Sequence, residues 1–207
     1  MKVKISPSRL CGEISAPPSK SYAHRLMICA ALAEGESTIR GISESEDMLA
    51  TLDCIAALGA RYEKLGDTVK ICGKTGKTPE GAVLRCRESG STLRFMIPPA
   101  LTGGRVRFEG TPRLLERGVG IYEQLLGDKG IEIKKDSGGI EFFGALTAGE
   151  YVLRGDVSSQ FITGLLFALP LLSGDSVIKI LPPVESRAYI DLSLIHISEP
   201  TRRTPIS

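Results

Sequence analysis

The stretch Ala16–Gly35, APPSKSYAHRLMICAALAEG, places polar and basic residues directly before an apolar helix. A helix N-terminus carries unpaired N–H groups and partial positive charge, so it attracts anions. Lys20 adds a full positive charge there, and Ser21 adds a hydroxyl. Arg25 lies one turn after Ser21, and its side chain is directed back toward the helix start. The stretch therefore predicts an anion-binding site at the start of a buried helix.

The same pattern recurs twice along the chain. Residues 12–42 read GEISAPPSKSYAHRLMICAALAEGESTIRGI, residues 82–111 read AVLRCRESGSTLRFMIPPALTGGRVRFEGT, and residues 151–183 read YVLRGDVSSQFITGLLFALPLLSGDSVIKILPP. Each copy predicts a short strand, a group of hydroxyl residues, an apolar helix, a glycine stop and a second strand. In the second copy, Ser91 and Thr92 are predicted to cap the helix.

The first two copies continue with a second helix and a pair of strands. The second helix of the second copy is predicted in RLLERGVGIYEQLLGDKG, where Thr111 caps it and Pro112 suits its first position. The resulting unit is βαβαββ, and the predicted fold class is α/β with repeated units. If three such units pack with equivalent ends together, all three helix starts face one cleft.

The third unit begins its second helix near Glu185, in ESRAYIDLSL, and is predicted to be incomplete. From about Leu194 the chain reads LIHISEPTRRTPIS, which has no helical period and contains Pro200. We expect residues 194–207 to be a non-native or disordered tail. A fraying natural terminus is the alternative.

The composition of the chain indicates which classes of binding partner to expect. The net charge is +2 and 5% of residues are aromatic, which gives no indication of nucleic-acid binding. Five cysteines without a CxxC motif suggest neither a disulfide framework nor a zinc site. The longest apolar run, Phe161–Leu172, is too short to cross a bilayer, and no signal segment precedes it, so we expect a cytoplasmic protein without membrane contact.

The motifs PPSKSYAHR, ESGSTLRF, GTPRLLERGV, VSSQF and ESRAYID resemble, in this order, the 5-enolpyruvylshikimate-3-phosphate synthase family. The resemblance implies two similar domains, each an inside-out α/β barrel of three βαβαββ units with the helices toward the middle. Residues 1–14 would then be a strand segment that joins the other domain. Residues 15–193 would form the N-terminal domain, with its last unit truncated.

The resemblance also implies the reaction. The family transfers the enolpyruvyl group of phosphoenolpyruvate to the 5-hydroxyl of shikimate 3-phosphate, in aromatic amino acid biosynthesis, without a cofactor or metal. Matching positions imply that Lys20 contacts both substrates, that Gly90 and Arg117 line the phosphoenolpyruvate phosphate site, and that the shikimate 3-phosphate site is formed by Ser21, Arg25, Ser158, Ser159, Gln160, Ser186 and Tyr189.

Two departures qualify what the resemblance implies. Glu88 and Ser91 differ from the residues that many family members have in the loop beside phosphoenolpyruvate. The family's acid and base groups lie in a second half that this sequence lacks, so the catalytic residues are not among those present. We expect the chain to be inactive alone and the missing C-terminal domain to be its natural partner.

Two other functions fit part of the pattern. One is UDP-N-acetylglucosamine 1-carboxyvinyltransferase, which typically has Lys-Asn where this chain has Lys20 and Ser21, and a loop cysteine that is missing near TPRLLERG. The other is a non-catalytic phosphate-binding module.

Overall fold

The computed structural model describes residues 2–4, 6–7, 9, 11–73 and 76–198. In these residues, nine strands form three separate sheets around a group of helices. In chain order the elements are α1 (Lys20–Leu32), β1 (Glu36–Ile39), α2 (Glu46–Ala57), β2 (Arg61–Leu65), β3 (Thr68–Cys72), β4 (Ala82–Arg85), α3 (Gly90–Ala100), β5 (Val106–Glu109), α4 (Pro112–Glu116), α5 (Gly120–Gly127), β6 (Glu132–Lys135), β7 (Gly139–Phe143), β8 (Glu150–Arg154), α6 (Ser159–Ala168), a 3-10 helix (Leu169–Leu171), β9 (Val177–Leu181) and α7 (Arg187–Ser198).

Each sheet takes its strands from one repeat. The first sheet has the order β1-β3-β2 and is antiparallel throughout. The second has the order β4-β5-β7-β6, in which β4 and β5 are parallel and the other pairs antiparallel. The third consists of the parallel pair β8 and β9. The repeated-unit α/β fold class predicted from the sequence is confirmed.

The helices of the different units pack against one another in the middle of the molecule. The contact between α3 and α6 is close because Gly164 has no side chain: a Cβ there would lie 2.2 Å from Tyr122 Oη and 2.6 Å from the Arg94 carbonyl oxygen. Tyr122 is fully buried, and its hydroxyl lies 2.9 Å from the Arg94 oxygen and 2.8 Å from that of Phe161. This packing brings the starts of α3 and α6 together.

The strand expected at the beginning of the first copy is absent from the described residues. Residues 11–19 have no strand, whereas β4 and β8 occupy the same place in the later copies. Among the described strands β1 pairs only with β3, so the edge of β1 that corresponds to the β4 side of β5 is left unpaired. Ile14 is accordingly 96% exposed. The placement of residues 1–14 in another domain stays a prediction.

The single helix expected after Gly110 is two helices. Thr111 caps α4 and Pro112 opens it, as predicted. Helix α4 then ends at Glu116, with Arg117 as its C-cap, because Gly118 has a φ of +66°, in the left-handed region that an α-helix cannot contain. After this break, α5 starts at Gly120.

The third unit has its second helix where the sequence places it. Helix α7 begins at Arg187 and extends through Ser198, four residues past the expected boundary at Leu194. The remainder of the predicted tail, residues 199–207, lies outside the described residues. The tail therefore stays a prediction for that segment.

The break between α4 and α5 predicts opposite effects for two glycine substitutions. Gly118→Ala should lower the free energy of unfolding by about 1 kcal/mol, because alanine disfavours the left-handed conformation. Gly127 is the last residue of α5 and has nothing within 4 Å of an added Cβ, so Gly127→Ala should raise it by about 0.5 kcal/mol. Urea unfolding measures both; a loss at both positions would contradict this description of the break.

Candidate functional site

The first helix of each repeated unit begins with a serine whose side chain caps it. Ser19 caps α1, Ser89 caps α3 and Ser158 caps α6; each Oγ accepts from a backbone N–H two or three residues later, at 3.4, 3.3 and 3.4 Å respectively. The prediction that Ser91 and Thr92 cap α3 is wrong, because Ser89 precedes them and the helix has already begun. The remaining N–H groups at each start are left open to a ligand.

The three helix starts line one cavity of about 320 Å³. Among the residues predicted to bind ligand, it is lined by Lys20, Ser21, Arg25, Ser158, Ser159, Gln160, Ser186 and Tyr189. Four further residues outside the predicted set also line the cavity: His24, Asp47, Ser91 and Phe95. The predicted cleft shared by equivalent helix starts is therefore present in the structure.

Arg25 is a buried cation that hydrogen-bonds to neutral acceptors. It is 2% exposed, and its guanidinium donates to Ser21 O at 2.9 Å, Ser193 Oγ at 2.9 Å, Tyr189 O at 3.0 Å and Thr163 Oγ1 at 3.4 Å. Burial lowers the pKa of Arg25. In the described part of the chain no carboxylate forms an ion pair with it, so an anion in the cavity would supply the missing counter-charge.

Lys20 and Asp47 form an ion pair at the cavity wall. Lys20 Nζ lies 2.8 Å from Asp47 Oδ2, and Asp47 is on the neighbouring helix α2. Burial raises the pKa of Asp47, but the hydrogen bond and charge of Lys20, together with a hydrogen bond from Ser89, outweigh this and leave the pKa below its usual value. Asp47 thus holds the lysine in place and offsets part of the positive potential.

Gly90 and Arg117 lie beside this cavity rather than on its wall. A Cβ at Gly90 would be 3.3 Å from both terminal nitrogens of Arg117 and from Arg94 Nη1, so the missing side chain leaves room for two guanidinium groups. Burial, followed by the charge of Arg117, lowers the pKa of Arg94. Neither arginine has a carboxylate ion-pair partner among the described residues. Two such cations together form a second region suited to an anion.

Gln160 connects this arginine pair to the cavity. Arg94 Nη1 lies 2.8 Å from Gln160 Oε1, and Gln160 Nε2 lies 2.8 Å from Ser91 Oγ. Because a guanidinium only donates, the amide oxygen must face Arg94 and the amide nitrogen must face Ser91. Gln160 therefore offers an N–H, rather than its oxygen, to the cavity.

Ser186 has an unusual backbone conformation at the entrance to α7. Its φ is +54°, in the left-handed region, and its carbonyl oxygen accepts from Tyr189 N at 3.0 Å. The preceding residue is fixed as well, because Glu185 N donates to Gly155 O at 2.8 Å. This turn directs both Ser186 and Tyr189 to the cavity.

Four contributors lie outside the ligand set predicted from the sequence, and three of them depend on long-range packing. Asp47 and Phe95 come to the cavity from α2 and α3, and Arg94 acts through Gln160. His24 had a local signal, since it lies four residues after Lys20 on the same face of α1.

The described residues contain neither a metal-binding cluster nor a membrane-spanning helix. No group of three or more His, Cys, Asp or Glu side chains there could hold a metal ion. In the same part of the chain, no helix has the length and apolar character needed to cross a membrane.

Residues 5–197 match the family model described as EPSP synthase (3-phosphoshikimate 1-carboxyvinyltransferase). The chain belongs to the EPSP synthase family. It is 44% identical over 195 residues to the 3-phosphoshikimate 1-carboxyvinyltransferase of Clostridium kluyveri, and 43% identical over 207 residues to that of Clostridium beijerinckii. These alignments cover 93% and 95% of this chain but 46% and 48% of the relatives, so the chain spans about half of their length.

The fold of the EPSP synthase family is also seen in the structural comparison. EPSP synthase from Acinetobacter baumannii superposes with a TM-score of 0.67 at 24% identity, covering 84% of this chain and 41% of that one. Most of this chain therefore shares its fold with part of a longer protein.

The ion pair at the cavity wall predicts how the cavity responds to an anion. Lys20→Ala should weaken inorganic phosphate binding about tenfold or more, because a charged hydrogen bond contributes about 1.5–3 kcal/mol. Asp47→Asn should strengthen it, because a negative charge beside the anion is removed. Calorimetric titration with phosphate measures both, and Lys134→Ala, on the exposed strand β6, is the control. Unchanged affinity in Asp47→Asn would contradict this electrostatic description.

Proposed function

We propose that this chain carries the shikimate 3-phosphate site and part of the phosphoenolpyruvate site of a 3-phosphoshikimate 1-carboxyvinyltransferase. The observation that carries the proposal is the convergence of three serine-capped helix starts on one cavity beside Lys20 and Arg25. The names of the Clostridium relatives support the same reaction. In that reaction the 5-hydroxyl oxygen loses its proton and adds to C2 of phosphoenolpyruvate while C3 gains a proton; loss of a C3 proton and of the phosphate on C2 then restores the double bond.

The cavity suits a phosphorylated ring with hydroxyl groups. Ser158 and Ser159 at the start of α6, with Ser186 opposite, offer hydroxyl and backbone donors to a phosphate. Arg25 supplies a cation that has no carboxylate partner in the described part of the chain, and the half-exposed Tyr189 ring forms a wall for the sugar-like ring. Shikimate 3-phosphate carries both the phosphate and the hydroxylated ring that these groups would bind.

Phosphoenolpyruvate would bind next to this ring, at the arginine pair. Arg94 and Arg117 flank Gly90, and Gln160 lies between them and the main cavity. Lys20, on the cavity wall, would contact both ligands. Positioning two anions side by side and neutralising their charge would be the contribution of this half to catalysis.

The proton-transfer groups would come from a second half. The relatives are about twice as long, and we propose that their remaining part corresponds to the natural partner of this chain, facing the cavity from the other side. The chain would then bind ligands by itself but turn them over only when that half is supplied. A cytoplasmic location stays a prediction.

Titration of the chain with shikimate 3-phosphate and with UDP-N-acetylglucosamine tests the substrate. We expect saturable binding of the former and none of the latter. Turnover should appear when the C-terminal half of the Clostridium beijerinckii relative is added. Lack of shikimate 3-phosphate binding with this half present would overturn the proposal, and binding without turnover would favour a non-catalytic binding module.

Arg117 provides a test that separates the two ligands. Arg117→Ala should weaken phosphoenolpyruvate about tenfold or more and affect shikimate 3-phosphate far less, because Arg117 lies at the arginine pair and not on the cavity wall. Arg113→Ala is the matched control, since Arg113 lies one turn earlier and pairs with Glu88 at 3.4 Å. Equal losses for both ligands in Arg117→Ala would instead indicate collapse of the site.

A further inference from the structure

His24 is a buried titratable group whose outer nitrogen faces the cavity. It is 3% exposed, and its Nδ1 lies 2.8 Å from Thr51 Oγ1. Its Nε2 has no partner among the described residues. In that part of the chain, Arg94 Nε is the one fully enclosed side-chain nitrogen or oxygen without a hydrogen bond, so the small exposed surface of His24 includes Nε2. Because His24 lines the cavity, that surface opens into it.

A chain of short hydrogen bonds determines which nitrogen of His24 carries the hydrogen. It runs from His24 through Thr51 and Thr92 to Ser89. The successive distances are 2.8 Å from Nδ1 to Thr51 Oγ1, 2.8 Å between the two threonine oxygens, and 2.8 Å from Thr92 Oγ1 to Ser89 Oγ. Thr51 Oγ1 also lies 3.1 Å from the backbone oxygen of Asp47, which completes the relay.

Counting hydrogens fixes the direction of this relay. The hydroxyl of Thr51 donates to the Asp47 backbone oxygen at 3.1 Å, and a carbonyl oxygen only accepts. The hydrogen of Thr92 is used on Ser89, so the threonine contact also draws on the hydrogen of Thr51. No hydroxyl hydrogen is left for Nδ1, so this nitrogen has to be the donor to Thr51.

We propose that His24 is held as its neutral Nδ1–H tautomer and accepts, through Nε2, a hydrogen bond from a hydroxyl group of the ligand in the cavity. The proposal rests on the proposed function and extends it to a residue outside the predicted ligand set. A ligand with a hydroxyl beside its phosphate would satisfy Nε2, whereas phosphate alone would leave it unpaired.

The surroundings of His24 favour the neutral ring. Burial lowers its pKa to about 4; the charge of Asp47 acts in the opposite direction, and those of Arg25 and Lys20 lower the pKa further. The ring is therefore unprotonated at Nε2 near neutral pH. Its edge-on contact with Phe95, at 6.1 Å between ring centroids, and the relay together fix its orientation.

This acceptor has a distinct role among the cavity groups. Lys20 and Arg25 only donate hydrogen bonds, and the one carboxylate lining the cavity, Asp47, is already bound by Lys20. The serine hydroxyls that line the cavity can rotate to donate or to accept, whereas Nε2 of the neutral ring can only accept. A site that presents a buried acceptor to a ligand hydroxyl rejects analogues lacking that hydroxyl, because the acceptor then stays unpaired. His24 would thus help to distinguish a hydroxylated phosphate from other anions.

The first experiment determines the tautomer of His24 by 15N NMR of the ligand-free chain. We expect a hydrogen bonded to Nδ1 and none on Nε2. Thr51→Val should release this preference, and Thr163→Val, a buried threonine outside the relay, should leave it unchanged. A hydrogen on Nε2 in the wild-type chain, or an unchanged preference in Thr51→Val, would overturn the proposal.

The second experiment measures the affinity of the same chain for shikimate 3-phosphate and for inorganic phosphate. His24→Phe keeps an aromatic ring but removes the acceptor, so it should bind shikimate 3-phosphate about tenfold more weakly and phosphate as before. His24→Gln, which retains an acceptor oxygen, should recover part of the loss. Equal weakening for both ligands in a variant with wild-type thermal stability would overturn the proposal.

The two experiments separate this inference from the function on which it rests. If the wild-type chain has the expected tautomer but binds no shikimate 3-phosphate, even with the second half added, the proposed function and the ligand assigned to Nε2 both fail. If it binds that ligand and His24→Phe has no effect, only the role of His24 fails.

Discussion

The buried guanidinium of Arg25 joins elements that are far apart in the sequence. It lies on α1 and donates hydrogen bonds to α6 through Thr163 and to α7 through Ser193 and the Tyr189 carbonyl. These bonds hold the first and third units together where both contribute helix starts. The guanidinium is desolvated and has no carboxylate partner in the described part of the chain, so the same interaction that fixes the fold also gives the cavity its positive potential.

The three units share one physical property at the cavity, but the side chains that they contribute differ. Every unit contributes a serine-capped helix start with partial positive charge. The first adds the cations Lys20 and Arg25, whereas the second adds Gly90 and the nearby arginine pair. The helix start of the third unit is neutral and contributes Gln160, whose amide is oriented by Arg94. Such variation would allow one cleft to bind two different anions in fixed relative positions.

Local patterns in the sequence predicted the repeat, the fold class and most of the cavity, because helix starts and strand alternation are local properties. The cap of α3 was misplaced, since Ser89, Ser91 and Thr92 are all good capping residues and only the backbone path selects Ser89. The division between α4 and α5 was missed because a glycine inside a helical pattern is often tolerated. Asp47 was missed because its pairing with Lys20 spans 27 positions.

The central claim is that three helix starts form one anion site, and a 15N NMR titration of the chain with shikimate 3-phosphate tests it most directly. The backbone amides at the starts of α1, α3 and α6 should shift together and follow a single dissociation constant. Lys20, Ser91 and Gln160 report on the three starts. Shifts confined to one helix, or different constants for the three, would contradict the account.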